Sequence, residues 1–383
     1  MKKIFISLLF VFLICLNVIA VSAKASDITS NYSYEISSVI PSDVCEYAKS
    51  RFRPLLETVS DNSNYFGKLV DSEDNVVLGK PYIIFDVEND GFQDKLYYFP
   101  IIEKSKIRCI LSISDVDGVY NASVSQGISD KLNDIDYFHQ NYIIYSINYS
   151  LFAENEKKVN VILENSKYKN TEKASCFKNL DYNKKVAYIK KKFEQNSINE
   201  SNTNISYLDK TKGFSEKSSS RVQLNTSGCL VSQRSDGNCW AASVATTLRY
   251  LNYNKYKTLT ARKVCDKIKV GYNAGGNLVT RQKALLAYGV SYYNHFISYP
   301  MEFGLIQKNI LKQRPILVSC VGTRSGGGHA VTVIGYTTYG GINQVVFHNS
   351  GDNKCVTSEY KKAGLTFSYN NEIFKWRSSL SCY

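Results

Sequence analysis

The chain has 383 residues with 47 Lys+Arg against 34 Asp+Glu, a formal net charge of +13 at neutral pH. That length leaves room for two domains. Beyond the first residues no stretch is long and apolar enough to span a bilayer, and no nucleic-acid-binding module is recognisable. The charge is uneven. Val222 to Tyr383 holds 19 basic and 6 acidic residues, net +13, so the remainder has 47 − 19 = 28 basic and 34 − 6 = 28 acidic residues, net zero. A basic C-terminal part can dwell on anionic cell-wall polymers or favour acidic substrates; a solvated basic surface without a partner is the plainer alternative.

Lys2 and Lys3 precede an apolar run from Ile4 to about Ala20, followed by Val21-Ser22-Ala23. This reads as a cleaved export signal over residues 1–23, with Ala23-Lys24-Ala25 an equally good cleavage site, and predicts a secreted protein without an integral membrane anchor. Cys15 follows Phe-Leu-Ile, not the small residues of a lipoprotein signal. Nine cysteines remain: 45, 109, 176, 229, 239, 265, 320, 355 and 382. Export permits disulfides, and setting Cys239 aside as a nucleophile leaves eight thiols for bridges or for ordinary burial.

Asp43 with Glu46 marks a helix start, and the helix can run through Ala48, Phe52 and Leu56. Strand-like runs follow at Tyr82–Phe85, Leu96–Ile102, Ile107–Ile113, Tyr142–Tyr145 and Val159–Leu163, rich in β-branched and aromatic residues. Together they predict a mainly antiparallel α+β domain over residues 27–195. It carries no catalytic cluster, and its lone His139 reads as a surface or packing residue. Residues 196–221 are dominated by Asn, Ser, Thr, Lys and Glu, and read as an exposed linker. Signal, chemically silent domain, linker and nucleophile domain form the layout of a zymogen, with 27–195 as propeptide and inhibitor; a permanent accessory domain is the alternative.

Within 222–383, helices are predicted from Cys239 to about Leu251, from Thr280 to Tyr288, and from Glu302 to Gln313. Strands are predicted at Ile316–Cys320, Ala330–Ile334, Gln344–Phe347 and Leu365–Ser368. This order puts Cys239 on a helical lobe, and His329 and Asn349 on a sheet lobe.

Cys239 opens its helix behind Asp236-Gly237-Asn238, which supplies turn and N-cap chemistry. A helix N-terminus stabilises a thiolate, the form that attacks carbonyl carbon. His329 follows Gly326-Gly327-Gly328 and opens an apolar strand. Glycines there let a substrate backbone approach closely. Its imidazole can pair with the thiolate and later protonate a leaving amine. Asn349 lies 349 − 329 = 20 residues further on, at a strand end, and can orient the imidazole. Gln233 lies six residues before Cys239 and can donate to an oxyanion together with the Cys239 N–H. In an extended Phe347-His348-Asn349, neighbours face opposite sides, so Asn349 should face His329 and His348 should not.

Gln233, Cys239-Trp240, His329-Ala330 and Asn349-Ser350 resemble the motif residues of the papain-like cysteine peptidases, and Val222 to Tyr383 is similar to the compact bacterial members of that superfamily, the staphopain and streptopain groups and the peptidase domains of bacteriocin exporters. The resemblance implies a two-lobed α+β peptidase fold, protein or peptide substrates, and no metal or organic cofactor. It also implies that Gly275 and Gly276, within Tyr-Asn-Ala-Gly-Gly-Asn, line the non-primed cleft, with Trp240 and Gly328 as further substrate-contacting residues. Gly351 stands where plant papains carry Trp after Asn-Ser, and no Cys lies three residues before the nucleophile. The expected activity is peptide-bond hydrolysis by a secreted, zymogen-derived enzyme. The alternatives are amide hydrolysis or transpeptidation on cell-wall peptides by the same thiol chemistry, and a wall-binding or adhesive protein.

Overall fold

The computed structural model describes residues 40–60, 76–79, 81–92, 95–135, 137, 142–148, 150–164, 171–196, 220–233 and 238–382. The predicted export signal, His139, the Asp236-Gly237 turn and all but the ends of the predicted linker lie outside these residues. No helix among the described residues is long and apolar enough to cross a membrane.

The molecule is α+β, built on a large antiparallel sheet. Helix α1 (Ser42–Ser60) comes first, then β1 (Val76–Leu78), β2 (Phe85–Asp86), β3 (Gly91–Phe92), β4 (Leu96–Glu103), β5 (Lys106–Val116), β6 (Val119–Ser125), α2 (Ser129–Asp134), β7 (Ile143–Ile147), β8 (Ser150–Glu154) and β9 (Val159–Leu163). Helices α3 (Glu172–Lys178) and α4 (Tyr182–Asn196) close this part. The C-terminal part runs β10 (Ser220–Gln223), α5 (Cys239–Leu251), α6 (Tyr253–Tyr256), α7 (Ala261–Ile268), α8 (Leu278–Ala287), β11 (Tyr293–Ile297) and α9 (Phe303–Leu311). It ends with β12 (Ile316–Gly322), β13 (Gly328–Tyr339), β14 (Ile342–Asn349), β15 (Lys354–Glu359), β16 (Thr366–Tyr369) and β17 (Glu372–Cys382).

Strand order in the large sheet is β1-β4-β5-β6-β15-β14-β13-β12-β17-β11, with β10 on β13 and β16 on β17. The join is β6 with β15, where Val356, Thr357 and Ser358 pair antiparallel with Ser125, Val124 and Ser123. The N-terminal strands therefore extend the C-terminal sheet. The predicted strand at Tyr82–Phe85 is shorter than expected: Tyr82 makes only a bridge to Tyr98, and Phe85 opens β2 in a separate five-stranded sheet. The 220–221 end of the predicted linker is strand, since Ser220 to Gln223 pair with Thr338 to Gly335.

Helix α1 shows why the two parts pack. Val44, Ala48, Phe52, Leu55, Leu56 and Val59 recur at helical spacing and bury one face. That face meets Ile101, Leu111, Ile113 and Val124 together with Ile334, Val346 and Cys355 from beyond the linker, in one apolar cluster. Pro54 lies inside the helix. Its carbonyl accepts from Gln344 Nε2 at 3.0 Å, while Thr58 Oγ1 donates to Gln344 Oε1 at 2.7 Å. Gln344 lies on β14 and is fully buried, so its amide meets its hydrogen-bonding need on the N-terminal helix.

The thiols of Cys109, Cys176, Cys229, Cys239, Cys265, Cys320, Cys355 and Cys382 are unpaired. The expectation of bridges among them is not met. All but Cys176 are buried and pack as small apolar side chains.

Candidate active site

Helix α5 is buried along its length from Cys239 to Leu248. Its small residues allow that: Ala241, Ala242, Ser243 and Ala245 let neighbouring elements close around it. Asn238 occupies the N-cap, but its side chain does not cap; its carbonyl receives the N–H groups of Ala241 (3.0 Å) and Ala242 (3.1 Å). Cys239 is thus the first helical residue, where unsatisfied N–H groups and the dipole favour a negative charge.

Strand β13 is fastened to α5 one turn past the cysteine. Ser243 Oγ donates to Val331 O at 3.3 Å and lies 2.8 Å from Thr332 Oγ1. Ser243 is four residues after Cys239, and Val331 and Thr332 follow His329 by two and three. This buried polar contact sets the spacing of thiol and imidazole. Both groups are sheltered, with Cys239 8 % and His329 5 % exposed.

His329 Nε2 lies 2.7 Å from Asn349 Oδ1, so the ring donates to a neutral amide carbonyl. Asn349 Oδ1 also accepts from Gly351 N at 3.1 Å, which fixes the amide. The register is that expected from an extended strand. His348, one residue earlier, turns away and is fully buried, with Nε2 3.1 Å from Asn353 Oδ1. Burial pushes the His348 imidazole down to about 4, so it carries no charge near neutrality.

Burial alone would push the Cys239 thiol up. The hydrogen bond and charge of His329, the Arg281 guanidinium and the Ala330 backbone outweigh it, and the net shift is downward. His329 moves the other way. Burial would lower it, but its hydrogen bond to Cys239, the thiolate charge, Asn349 and the Asp352 carboxylate raise it. One group falling and its partner rising favours a thiolate–imidazolium pair over two neutral groups.

Gln233 is tied to the segment after Asn349. Its N–H donates to Ser350 O at 2.9 Å, and its Oε1 accepts from Ser350 Oγ at 3.1 Å. With the carbonyl end engaged there, the amide nitrogen faces the other way as a donor.

Gly275 and Gly328 are exposed, with open space where a Cβ would stand. Gly276 is pressed on Trp240; a Cβ there would lie 2.4 Å from the indole. Trp240 is fully buried and its Nε1 donates to Ala274 O at 2.8 Å. The indole therefore supports the 274–276 loop from behind, so any effect it has on a substrate passes through Gly275 and Gly276. The large ring has no room at the surface once that loop covers it.

Three features escaped sequence reading. Tyr369, on β16, stacks on His329 with ring centroids 5.1 Å apart and planes 19° apart. It fills the space left by Gly351, where a Cβ would stand 2.1 Å from the Tyr369 hydroxyl. A tyrosine from a distant hairpin thus covers the ring where Gly351 replaces a tryptophan. Glu372 anchors the loop before the Gly-Gly-His run, accepting from Ser325 N (2.7 Å), Arg324 N (3.2 Å) and Ser325 Oγ (2.9 Å). Arg281, on α8, reaches the layer between α5 and the sheet. Its position shares a helical face with Ala284, Leu285 and Tyr288, a period in which a charged residue stands out.

The N-terminal part touches this region from one side. Asp86 forms an ion pair with Arg324 in the loop before His329. Asn371, at the tip of the hairpin carrying Tyr369, donates to Ser146 Oγ at 2.8 Å.

A helix-borne cysteine beside a strand-borne histidine, with an asparagine on the far ring nitrogen, is the arrangement that thiol chemistry of the papain-like kind requires. Residues 223–375 match the model of the Peptidase_C39 like family, a member of the papain-like cysteine peptidase clan, and the match supports a cysteine peptidase at the level of that family. The matched segment covers 375 − 223 + 1 = 153 of 383 residues, and residues 1–222 and 376–383 lie outside it. No curated protein matches the chain.

Proposed function

We propose that the protein is a secreted cysteine endopeptidase made as a zymogen, acting through a Cys239–His329–Asn349 triad on protein or peptide substrates. The Cys239 thiolate attacks the scissile carbonyl carbon, and the resulting oxyanion takes hydrogen bonds from the Cys239 N–H and the Gln233 amide. Imidazolium His329 gives its proton to the leaving amine as the C–N bond breaks, leaving an acyl-enzyme. Water, losing a proton to His329, then releases the acid and restores the thiolate. Asn349 holds the ring in the orientation both steps need. The observation that carries this reading is the 2.7 Å contact of His329 Nε2 with Asn349 Oδ1, which leaves the other ring nitrogen for Cys239.

Secretion rests on the Lys-led apolar segment before Val21-Ser22-Ala23. Residues 27–195 act as the inhibiting propeptide, through contacts on the 322–326 loop and on the hairpin beside His329. The cut falls between 197 and 219, because the chain from Ser220 onward is already committed to β13. Sheet continuity through β6 and β15 favours one refinement: the N-terminal piece stays bound after the cut until it is itself degraded. The basic C-terminal part, net +13, lets the mature enzyme dwell on anionic cell-wall polymers.

The test is expression with secretion, following size and N-terminal sequence with time. Wild type should yield an active product starting within or just after 197–219. Cys239→Ser should accumulate as an inactive, folded precursor if maturation is autocatalytic. A fully active uncleaved precursor would instead make 27–195 an accessory domain.

A further inference from the structure

Arg281 is 2 % exposed, yet no ion pair to a carboxylate accompanies it among the described residues. One guanidinium nitrogen, Nη1, donates to Val318 O on β12 at 2.9 Å, and Nε finds no partner. A buried arginine is ordinarily paired, because removing a cation from water is costly unless an anion compensates. Nothing in the packing requires a cation here. The neighbouring cluster is apolar, with Ala284, Leu285, Leu317 and Ala330, and it contains Cys239.

The placement is specific. Helix α8 starts directly after the 274–276 loop that rests on Trp240, the residue following Cys239. Arg281 lies one turn into α8 and reaches the carbonyl of Val318. Two residues along β12, Cys320 pairs across the strands with His329. The guanidinium is therefore buried against β12, the neighbour of the strand that carries His329, and near enough to Cys239 for the two charges to act on each other.

We propose that Arg281 is a positioning residue of the active site, whose buried guanidinium supplies the uncompensated positive charge that holds Cys239 as a thiolate. The idea rests on Cys239 being the nucleophile. The missing anion is then the thiolate itself, present only when the site is charged for catalysis.

The other groups around the site do not replace it. On β12 the Cys320 thiol is held neutral by burial. On β11 and β17, Tyr293 is pushed well up and Cys382 up to about 11, both by burial, so both are neutral. His348 on β14 is neutral as well. Asp352, after β14, is pushed up to about 6 by desolvation and acts on His329. Burial lowers Arg281 itself to about 10, which leaves it cationic at neutral pH. Among the described residues His329 and Arg281 are thus the cations whose charge acts on Cys239, and Arg281 differs in keeping its charge when the imidazole gives up its proton. A permanent cation keeps a positive charge beside the sulfur in the acyl-enzyme, when His329 is neutral, and joins the re-formed imidazolium in receiving the thiolate as the acid leaves.

The test compares Arg281→Gln, Arg281→Lys and Arg281→Met in the full-length chain. Gln keeps an N–H donor for Val318 O without the charge, Lys keeps the charge, and Met keeps only the length. The readout is the rate of iodoacetamide alkylation at Cys239 against pH, followed on the Cys239 peptide by mass spectrometry. In that reaction the thiolate forms the new C–S bond and iodide leaves. Arg281→Gln and Arg281→Met should move the inflection upward by about one pH unit, with alkylation roughly tenfold slower on the acid side. Arg281→Lys should stay close to wild type. The Met variant should melt no lower than wild type, since it removes an uncompensated buried charge. Unchanged profiles for Gln and Met would overturn the proposal, as would loss of folding in all three variants, which would make Arg281 structural. A wild-type Cys239 that alkylates like an ordinary thiol would instead overturn the peptidase assignment, and the two failures are told apart by wild type alone.

Discussion

Residues 40–196 and 220–382 share one sheet but divide its work. In the C-terminal part, polar side chains gather at strand ends and at one helix start: Cys239, His329, Asn349 and Gln233 come from four separate segments. In the N-terminal part the strands are equally regular, yet their buried polar groups mostly bond to each other or across the junction. Lys185 with Glu154, at 2.9 Å, is one such pair. Ser112 with Ser368, at 2.8 Å, is another. The comparison teaches that a continuous sheet does not spread chemistry along itself. The candidate site collects where a helix terminus meets strand ends, and the added strands grip the loop and hairpin beside it.

The largest effect that would sharpen this contrast lies within β14. Asn349→Ala should lower kcat by roughly 10²–10⁴, the range for groups that position a proton-transfer residue. His348→Ala, one residue away on the opposite face, should change kcat/KM far less. Steady-state kinetics on the mature enzyme decides; a crippled His348→Ala with a healthy Asn349→Ala would break the assignment of the third residue.

A smaller effect concerns the cover over the imidazole. Tyr369→Ala removes the ring stacked on His329, and should cost roughly tenfold in kcat/KM, about the strength of one aromatic contact plus some loss of ring order. Gly351→Ala should act in the same direction, because the new methyl group must displace the Tyr369 hydroxyl. Full activity in both variants would mean that the stacking does not steady His329.

The third effect is on stability and probes the junction. Glu359 is buried at the end of β15, where it accepts from Arg51 Nε at 3.2 Å and from the Tyr47 hydroxyl of α1. Glu359→Gln should destabilise the precursor by about 1–3 kcal/mol, read as a lower Tm, since a charge-assisted bond becomes a neutral one beside a retained arginine. An unchanged Tm would mean that the two parts are only loosely held, against the shared core around Val346 and Cys355.

Much of the site was legible in the sequence, and for a physical reason. Helix α5 runs from Cys239 to Leu251 as its apolar spacing predicts, and strand alternation alone puts Asn349 and His348 on opposite faces. These are local rules read over a few residues. What was not legible came from far along the chain. Tyr369 reaches His329 across 40 residues (369 − 329), and no local pattern marks it. Strands β15 and β17 mix polar and charged residues with apolar ones and were not predicted, although both are paired on each side within the sheet. The join of β6 to β15 pairs segments more than 200 residues apart, and register there follows from packing, not from composition. Arg281 was not read from the sequence either, because a charge on an apolar helical face gains its meaning only from which anion lies opposite.

The central claim is that Cys239 is the attacking sulfur, set apart from the other thiols by His329 and a helix start. Titration with an epoxide thiol probe, followed by intact mass, peptide mapping and residual casein hydrolysis, tests it most directly. The account predicts one adduct per molecule, on Cys239, with hydrolysis lost in proportion to labelling. An adduct on another cysteine with Cys239 unmodified and hydrolysis lost, or stoichiometric labelling of Cys239 with hydrolysis retained, would contradict it.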